Sequence, residues 1–293
     1  MFITAYTAIL EPYMGKLPID QSIQSLYDHV DAFVIYDCSR YDKFDWRKYG
    51  KIKKYIKGLF NPFDDPFGSM FTAAYRLVES DHALFLDSDE IFEFKTANLK
   101  DIAKNYDLSM GGLAFPLRNY YCSRNFLFDG CSTKGCHVFK TNPNYIHDLI
   151  PGMWETDGFK RYNKEPDTND GVRLVDKSNG HPIGHYPVIS EEDVIIHHTS
   201  HLDIFGKFVR SLVQFSHVGC IDLEGFYNYE NLPAPELVEE IYEFAQRQID
   251  NKEVEIALKA IPHNYKSFSL LDDYIEKANV VEFDPTEMSA YNK

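Results

Sequence analysis

No run of apolar residues in this 293-residue chain approaches the ~18 that would cross a bilayer. The opening Met1-Phe2-Ile3-Thr4-Ala5-Tyr6 lacks the basic region and long apolar region of a signal peptide. Cysteine is sparse and odd in number: Cys38, Cys122, Cys131, Cys136 and Cys220 lie scattered. That argues against a secreted disulfide scaffold and for reduced thiols, hence a cytoplasmic location. Cys131, Cys136 and His137 lack the paired spacing of a zinc site. Neither Gly-x-Gly-x-x-Gly nor a Walker loop occurs, which disfavours dinucleotide enzymes and P-loop NTPases. Basic residues are outnumbered, 30 Lys and Arg against 45 Asp and Glu, for a net charge of -15. A field of that sign argues against coating nucleic acid or an anionic membrane.

What is present suffices for a core: 44% hydrophobic and 26% charged residues are ordinary globular usage. The length permits one large domain or two modest ones. Aromatics stand out, with 20 Tyr, 22 Phe and 2 Trp. They read first as a core built on Phe and Tyr, and alternatively as walls of a groove for sugar rings or bases.

The first ninety residues alternate strand and helix. Residues 2–6 read as a strand. After Pro18, Ile19, Ile23, Leu26, Tyr27 and Val30 recur on one helix face. Ala32 to Tyr36 is a continuous apolar run that stops at Asp37, as in a strand buried on both faces. A helix over about 67–80 follows, then the strand Ala83 to Leu86, which ends in Asp87-Ser88-Asp89-Glu90. This is the grammar of an open α/β sheet. Over about 110–220 short strands (Gly112 to Leu117, His137 to Thr141, Val194 to His198) are expected among long polar loops. A helix is expected over Asp203 to His217 and a long helical stretch through Leu237, Ile241, Phe244, Ile249, Leu258 and Ile261, before a loose tail. The division expected is 1–220 as the catalytic domain, with halves 1–110 and 111–220, and 221–293 as a mainly helical C-terminal segment and tail.

Asp37 and Asp87 both end apolar strands, where open α/β sheets place their ligands. In an extended chain Asp87 and Asp89 point to the same side, and two carboxylates held so close repel unless a metal or proton compensates. A hard divalent cation suits them and leaves positions for phosphate. A polar turn after a buried strand is the plainer alternative. The loop Trp154-Glu155-Thr156-Asp157-Gly158 offers a base for an acceptor hydroxyl, Asp157 before Glu155, beside an aromatic that stacks on sugar. Glu191, Glu192 and Asp193 are rivals. Arg47, Lys48, Lys51, Lys53, Lys54 and Lys57 form a basic run that reads as a solvated face or, alternatively, a contact for phosphates or a polyanion.

The order Ser22-Ile23-Gln24-Ser25-Leu26, Asp31 to Asp37, Phe67-Gly68 through Ala73-Ala74, and Leu84-Phe85-Leu86-Asp87-Ser88-Asp89-Glu90-Ile91-Phe92 resembles family 2 glycosyltransferases of the GT-A type. The match covers the first hundred residues well and the rest thinly. It implies a GT-A, Rossmann-like nucleotide-binding core, with Asp37 on the nucleotide base and Asp87 and Asp89 as the DXD motif that holds Mn²⁺ or Mg²⁺ on the donor diphosphate. Where the family often has Gly-Ser-x-Asp, this chain has Cys38-Ser39-Arg40, with Ser39 and Asp42 kept and the glycine lost. Downstream, Val194 to Ser200 followed by Phe205 to Arg210 resembles a later segment of such enzymes. That likeness implies a histidine on the metal, His198 before His197, with His201 as a further candidate, and Lys207 on phosphate. Adjacent strand residues face opposite ways, so one of the pair reaches the metal.

The resemblance implies a transferase that moves sugar from a nucleotide-diphosphate sugar, a UDP-sugar first, to a glycan hydroxyl, or less readily to a hydroxylated DNA base. The alternatives are a nucleotidyltransferase acting on sugar phosphates, whose glycine-rich basic loop Ala8 to Lys16 does not supply, and a non-catalytic sugar-binding module.

Overall fold

In the computed structural model the described residues are 1–60, 68–108, 111–128, 133–155, 159–161, 169–183, 187–203, 243, 247, 254–256, 260–282 and 284–285. The strand β1 (Ile3–Ile9) is buried at every position and lies parallel to β2 (Ala32–Asp37). Its other neighbour is β4 (His82–Phe85), again parallel, and β3 (Ile52–Lys57) extends the sheet beyond β2. The helix α1 (Ile19–Leu26) starts directly after Pro18, whose missing N–H falls where a helix start has no internal acceptor to offer. Odd-numbered residues Ile3, Ala5, Ile9 and Ile35 pack toward Ile19, Ile23 and Leu26 of α1. Even-numbered Tyr6, Ala8 and Val34 pack toward Met70, Phe71 and Ala74 of α2 (Gly68–Arg76) on the opposite face. The period of two along the strands thus feeds two apolar layers, one per helix.

The second half of the ten-stranded sheet is mixed. β8 (Thr133–Lys140) runs antiparallel to β4, and β6 (Gly112–Tyr121) runs antiparallel to β8. β13 (Val194–His201) pairs parallel with β6 and antiparallel with β5 (Glu90–Phe94). Two antiparallel steps restore direction, so β6 and β13 run the same way as β4. Their carboxyl ends therefore emerge on the same edge as Asp37 and Asp87.

Several expectations are corrected. The stretch expected to be polar loops contains β7 (Ser123–Phe128) and a ribbon of β9 (Tyr145–Glu155), β11 (Asn169–Asp176) and β12 (His181–Pro182). The ribbon crosses α2 so closely that a Cβ on Gly68 would stand 2.5 Å from the His147 carbonyl oxygen. The basic run holds the edge strand β3, and its Arg47, Lys48, Lys53 and Lys57 are exposed, in keeping with a solvated face. The short helix α3 (Leu99–Lys104), capped by Asn98, also went unforeseen.

Of the mainly helical C-terminal segment, the described residues show the helix α4 (Ser269–Lys277) and helical backbone at 243 and 247. They also show two strands that the sequence did not suggest, β14 (Val254–Ile256), paired with β10 (Phe159–Arg161), and β15 (Ala260–Pro262). Ile261, expected in a helix, pairs with Leu127 of β7. β15 closes a sheet edge, and an edge strand takes its conformation from its partner rather than from helical periodicity. Leu271 and Tyr274 of α4 are buried with Ile91 and Tyr120. The expected helix over 203–217 lies outside the described residues beyond Asp203, as do Leu237, Ile241, Phe244, Ile249 and Leu258.

Burial holds His29, His82, His197 and His263 below the ordinary histidine pKa. The unfolded chain then binds more protons than the folded one just below pH ~6.5, so stability rises with pH in that window. The expected result is full stability above pH ~6.5 and a melting temperature that falls as acid is added below it. A flat thermal-melt profile between about pH 7.5 and 5.5 would contradict it.

Candidate functional site at the carboxyl edge of the sheet

β4 ends before Asp87, and the chain turns immediately. Glu90 N–H donates to the Asp87 carbonyl at 3.3 Å, and Ser88 N–H donates to the Asp87 carboxylate at 2.9 Å. The Asp-Ser-Asp element is therefore a turn between two strands, not the extended chain expected from its spacing. Ser88 is nonetheless buried, with Asp87 and Asp89 half-buried on either side of it. Ser22 of α1 donates to the Ser88 carbonyl at 3.5 Å, which ties the turn to the helix beneath.

β13 reaches this turn from more distant sequence. Its register sets His198 opposite Glu90 on β5 and Asn119 on β6. Thr199, 110 residues downstream of Asp89, donates both its N–H (2.9 Å) and its hydroxyl (3.0 Å) to the Asp89 carbonyl. His198 Nε2 then stands 3.3 Å from Asp89 Oδ2, with both side chains mostly buried. The neighbouring His197 faces the other way and is fully buried. Its Nδ1 accepts from the Tyr120 hydroxyl at 2.7 Å, and its Nε2–H donates to Glu93 at 3.1 Å. Burial keeps this imidazole neutral. His197 is thus a core residue, and strand alternation separates it from its neighbour. His201 ends β13 among Tyr121 and Phe128.

Asp37 is fully buried. Its carboxylate accepts from Ser39 N–H (2.8 Å), from Lys57 Nζ (2.9 Å) and from the Tyr55 hydroxyl. The β2–β3 register sets Lys57 directly opposite Asp37, which places the cation. Ser39 is buried and its hydroxyl accepts the Glu11 N–H at 3.1 Å.

Glu11 is the residue that sequence reasoning missed. Its buried carboxylate accepts the backbone N–H groups of Arg40, Tyr41 (3.1 Å) and Asp42 (2.8 Å). Asp42 reciprocates by accepting Tyr13 N–H (2.6 Å) and Met14 N–H (3.1 Å). Burial, with Glu11 and Asp37 nearby, holds the Asp42 carboxyl above its ordinary range. The loops that follow β1 and β2 are laced together by these two acids. No local pattern announces such a pairing, because the partners are backbone groups about thirty residues away.

Most lysines of the basic run are paired within the chain. Lys48 pairs with Asp20 (2.6 Å), Lys54 with Glu79 (2.6 Å) and Lys57 with Asp37, while Lys51 donates to the carbonyls of Tyr27 and Val30. The rivals Glu191, Glu192 and Asp193 precede β13, on the sheet edge away from Asp87, and so are displaced as a base at this site. Glu155 ends β9, described in its backbone alone. Asp157 and Lys207 lie outside the described residues. Among the described residues no preformed group of three or more His, Cys, Asp or Glu side chains is arranged to hold a metal ion, and no helix is long and apolar enough to cross a membrane.

No family model matches the chain, and no curated protein matches it. Solved structures overlap it in part. TarS 1–349 of S. aureus is 15% identical over 85% of this chain and 72% of that one, with a TM-score of 0.35. The same protein in complex with UDP is 18% identical over 41% of this chain and 36% of that one, at 0.30. A putative glucose-1-phosphate thymidylyltransferase of Bacillus anthracis is 8% identical over 100% of this chain and 99% of that one, at 0.31. The chain thus spans about a third of the UDP-bound structure. Scores this low leave the functional argument to the site itself.

Proposed function

We propose that the chain is a glycosyltransferase of GT-A type that uses a nucleotide-diphosphate sugar, a UDP-sugar first, and a divalent cation held by Asp87 and Asp89 with His198. The observation that carries this reading is the meeting of Asp89 and His198 at 3.3 Å beyond the ends of parallel strands. Two carboxylates and an imidazole fit a cation that accepts both oxygen and nitrogen, so Mn²⁺ suits the set better than Mg²⁺. The electrostatics favour the same conclusion. Asp87 and Asp89 stand two residues apart just beyond the end of β4, and two carboxylates so close repel a diphosphate unless a cation bridges them. When bound, that cation stabilises the charge that develops on the leaving diphosphate.

The chain's own residues do the remainder. The turn hydrogen bonds around Ser88 orient the two acids, and Thr199 holds Asp89 and β13 in register. Asp37 is the proposed contact for the base, on the side of the carboxylate that Ser39 N–H holds. Asp157, with Glu155 second, is the proposed base for a glycan hydroxyl, and Lys207 a proposed phosphate contact. A DNA acceptor draws no support from the basic run, since most of its lysines are engaged internally.

The test is incubation with UDP-sugars and Mn²⁺. Release of UDP supports the transferase. Release of pyrophosphate from a sugar phosphate and nucleoside triphosphate would make it a nucleotidyltransferase, and binding without cleavage a sugar-binding module. His198→Ala is expected to weaken Mn²⁺ affinity in the presence of UDP by about 10–100-fold, and much less in its absence. Calorimetric titration of Mn²⁺ with and without UDP reads this. Loss on His197→Ala in a folded protein, with His198→Ala unaffected, would transfer the role to the wrong face of the strand and refute the assignment.

A further inference from the structure

Beyond the strand-end acids, residues 42–47 and the end of β3 enclose an open cleft of about 440 Å³. Its wall is aromatic. The Trp46 ring stacks on Tyr55 at 5.3 Å between centroids and 16° between planes, and Phe44 stacks on Tyr55 at 6.4 Å and 25°. Phe44 is buried beneath, while Trp46 and Tyr55 are half-buried and border the cleft. The Tyr55 hydroxyl is committed to Asp37, which fixes the plane of its ring. Around this wall stand the exposed Lys43, Asp45 and Arg47, with the Arg47 guanidinium 5.6 Å from the Trp46 ring centre.

We propose that this cleft binds a neutral pyranose chain, as an anchor for a glycan at a place separate from the Asp87–Asp89 turn. Two features select the ligand class. Flat, partly exposed rings offer a stacking surface for the C–H face of a sugar, and donors and acceptors of both signs around them suit hydroxyl groups. The charges in the lining balance: Lys43 and Arg47 are matched in number by Asp42 and Asp45, and the Lys57 ammonium is already paired with Asp37 behind the wall. A phosphate or polyanion site would need an unspent positive field, which this cleft lacks.

The position gives the anchor its use. β3 is separated from β4 by β2 and β1, so the cleft lies about 14 Å along the sheet from the turn at the end of β4. A sugar held here does not reach the acids, but a longer chain spans both places. The inference stands whether or not the strand-end acids carry out chemistry.

The test uses the whole chain and intrinsic fluorescence, since Trp46 and Trp154 are its two tryptophans. Chitotetraose, cellotetraose and maltotetraose are titrated separately, with uridine and orthophosphate as competitors. At least one tetrasaccharide is expected to bind, and Trp46→Ala is expected to weaken it about tenfold, the scale of one lost aromatic stack. Arg47→Ala, at an exposed position, is expected to weaken binding a few-fold with an unchanged melting temperature. Absence of binding by all three up to about 10 mM overturns the proposal. So does binding that survives both substitutions. Displacement by uridine or orthophosphate would also overturn it, assigning the cleft to a base or a phosphate instead.

Discussion

Asp87→Ala and Asp89→Ala are each expected to lower Mn²⁺-dependent cleavage of a UDP-sugar by at least about 100-fold while melting near the wild-type temperature. The scale is that of removing one preorganised group from a site where charge develops. The fold is expected to survive because the Asp89 carbonyl keeps its two bonds from Thr199, the Asp87 carbonyl its bond from Glu90 N–H, and Ser22 its bond to Ser88, whichever side chain is removed. Asp89→Ala also releases His198 from its partner at 3.3 Å. It should therefore mimic part of the His198→Ala loss, so that the double variant is less than additive. Cleavage at near-wild-type rate by either single variant under limiting Mn²⁺ would remove the metal assignment. A second readout, Mn²⁺-dependent binding of UDP by calorimetry, separates a lost cation from a wrongly chosen sugar.

The second large effect is on stability, at Glu11. Glu11→Ala removes a fully buried carboxylate and leaves three part-buried backbone N–H groups, those of Arg40, Tyr41 and Asp42, without their acceptor. A loss of about 3 kcal/mol is expected, the scale of breaking a buried network whose polar groups then lack partners. Backbone geometry sharpens the test. Glu11 has φ 43°, in the left-handed region that costs a side chain about 1 kcal/mol and glycine nothing. Glu11→Gly therefore loses the same hydrogen bonds but relieves that strain, and should be about 1 kcal/mol more stable than Glu11→Ala. Denaturant unfolding of the three proteins measures both differences. Equal stability of the alanine variant and the wild type would mean that water replaces the carboxylate without cost. The same variants should weaken UDP binding, because the two laced loops border the nucleotide side of the proposed site.

Much of the first half was legible because its signals are local. The run Ala32 to Tyr36 with Asp37 at its end and the strand before Asp87 appear within a residue of where their patterns place them. The helix after Pro18 starts as expected but ends at Leu26, short of Val30. Strand alternation required that His197 and His198 face opposite ways, without saying which faces the acids, and the structure sets His198 beside Asp89 and His197 in the core. The Asp-Ser-Asp geometry was read less well. Its residues form a turn around a buried Ser88 rather than the extended chain expected, and no side-chain pattern encodes the hydrogen bonds of that turn.

Sequence alone thus determined the α/β alternation and the acids at two strand ends. Each depends on burial with a period of two or 3.6, or on a run's abrupt end. Tertiary structure decided the rest. Lys57 of β3 meets Asp37 only because the register sets the two opposite each other. The polar middle becomes a ribbon only when β9 meets β11, and Ile261 leaves its helical pattern to pair with β7. Glu11 looks like any loop acid until the next loop turns three backbone N–H groups toward it. These outcomes rest on partners distant in the chain, and backbone hydrogen bonds carry no residue-specific signature by which a sequence could declare them.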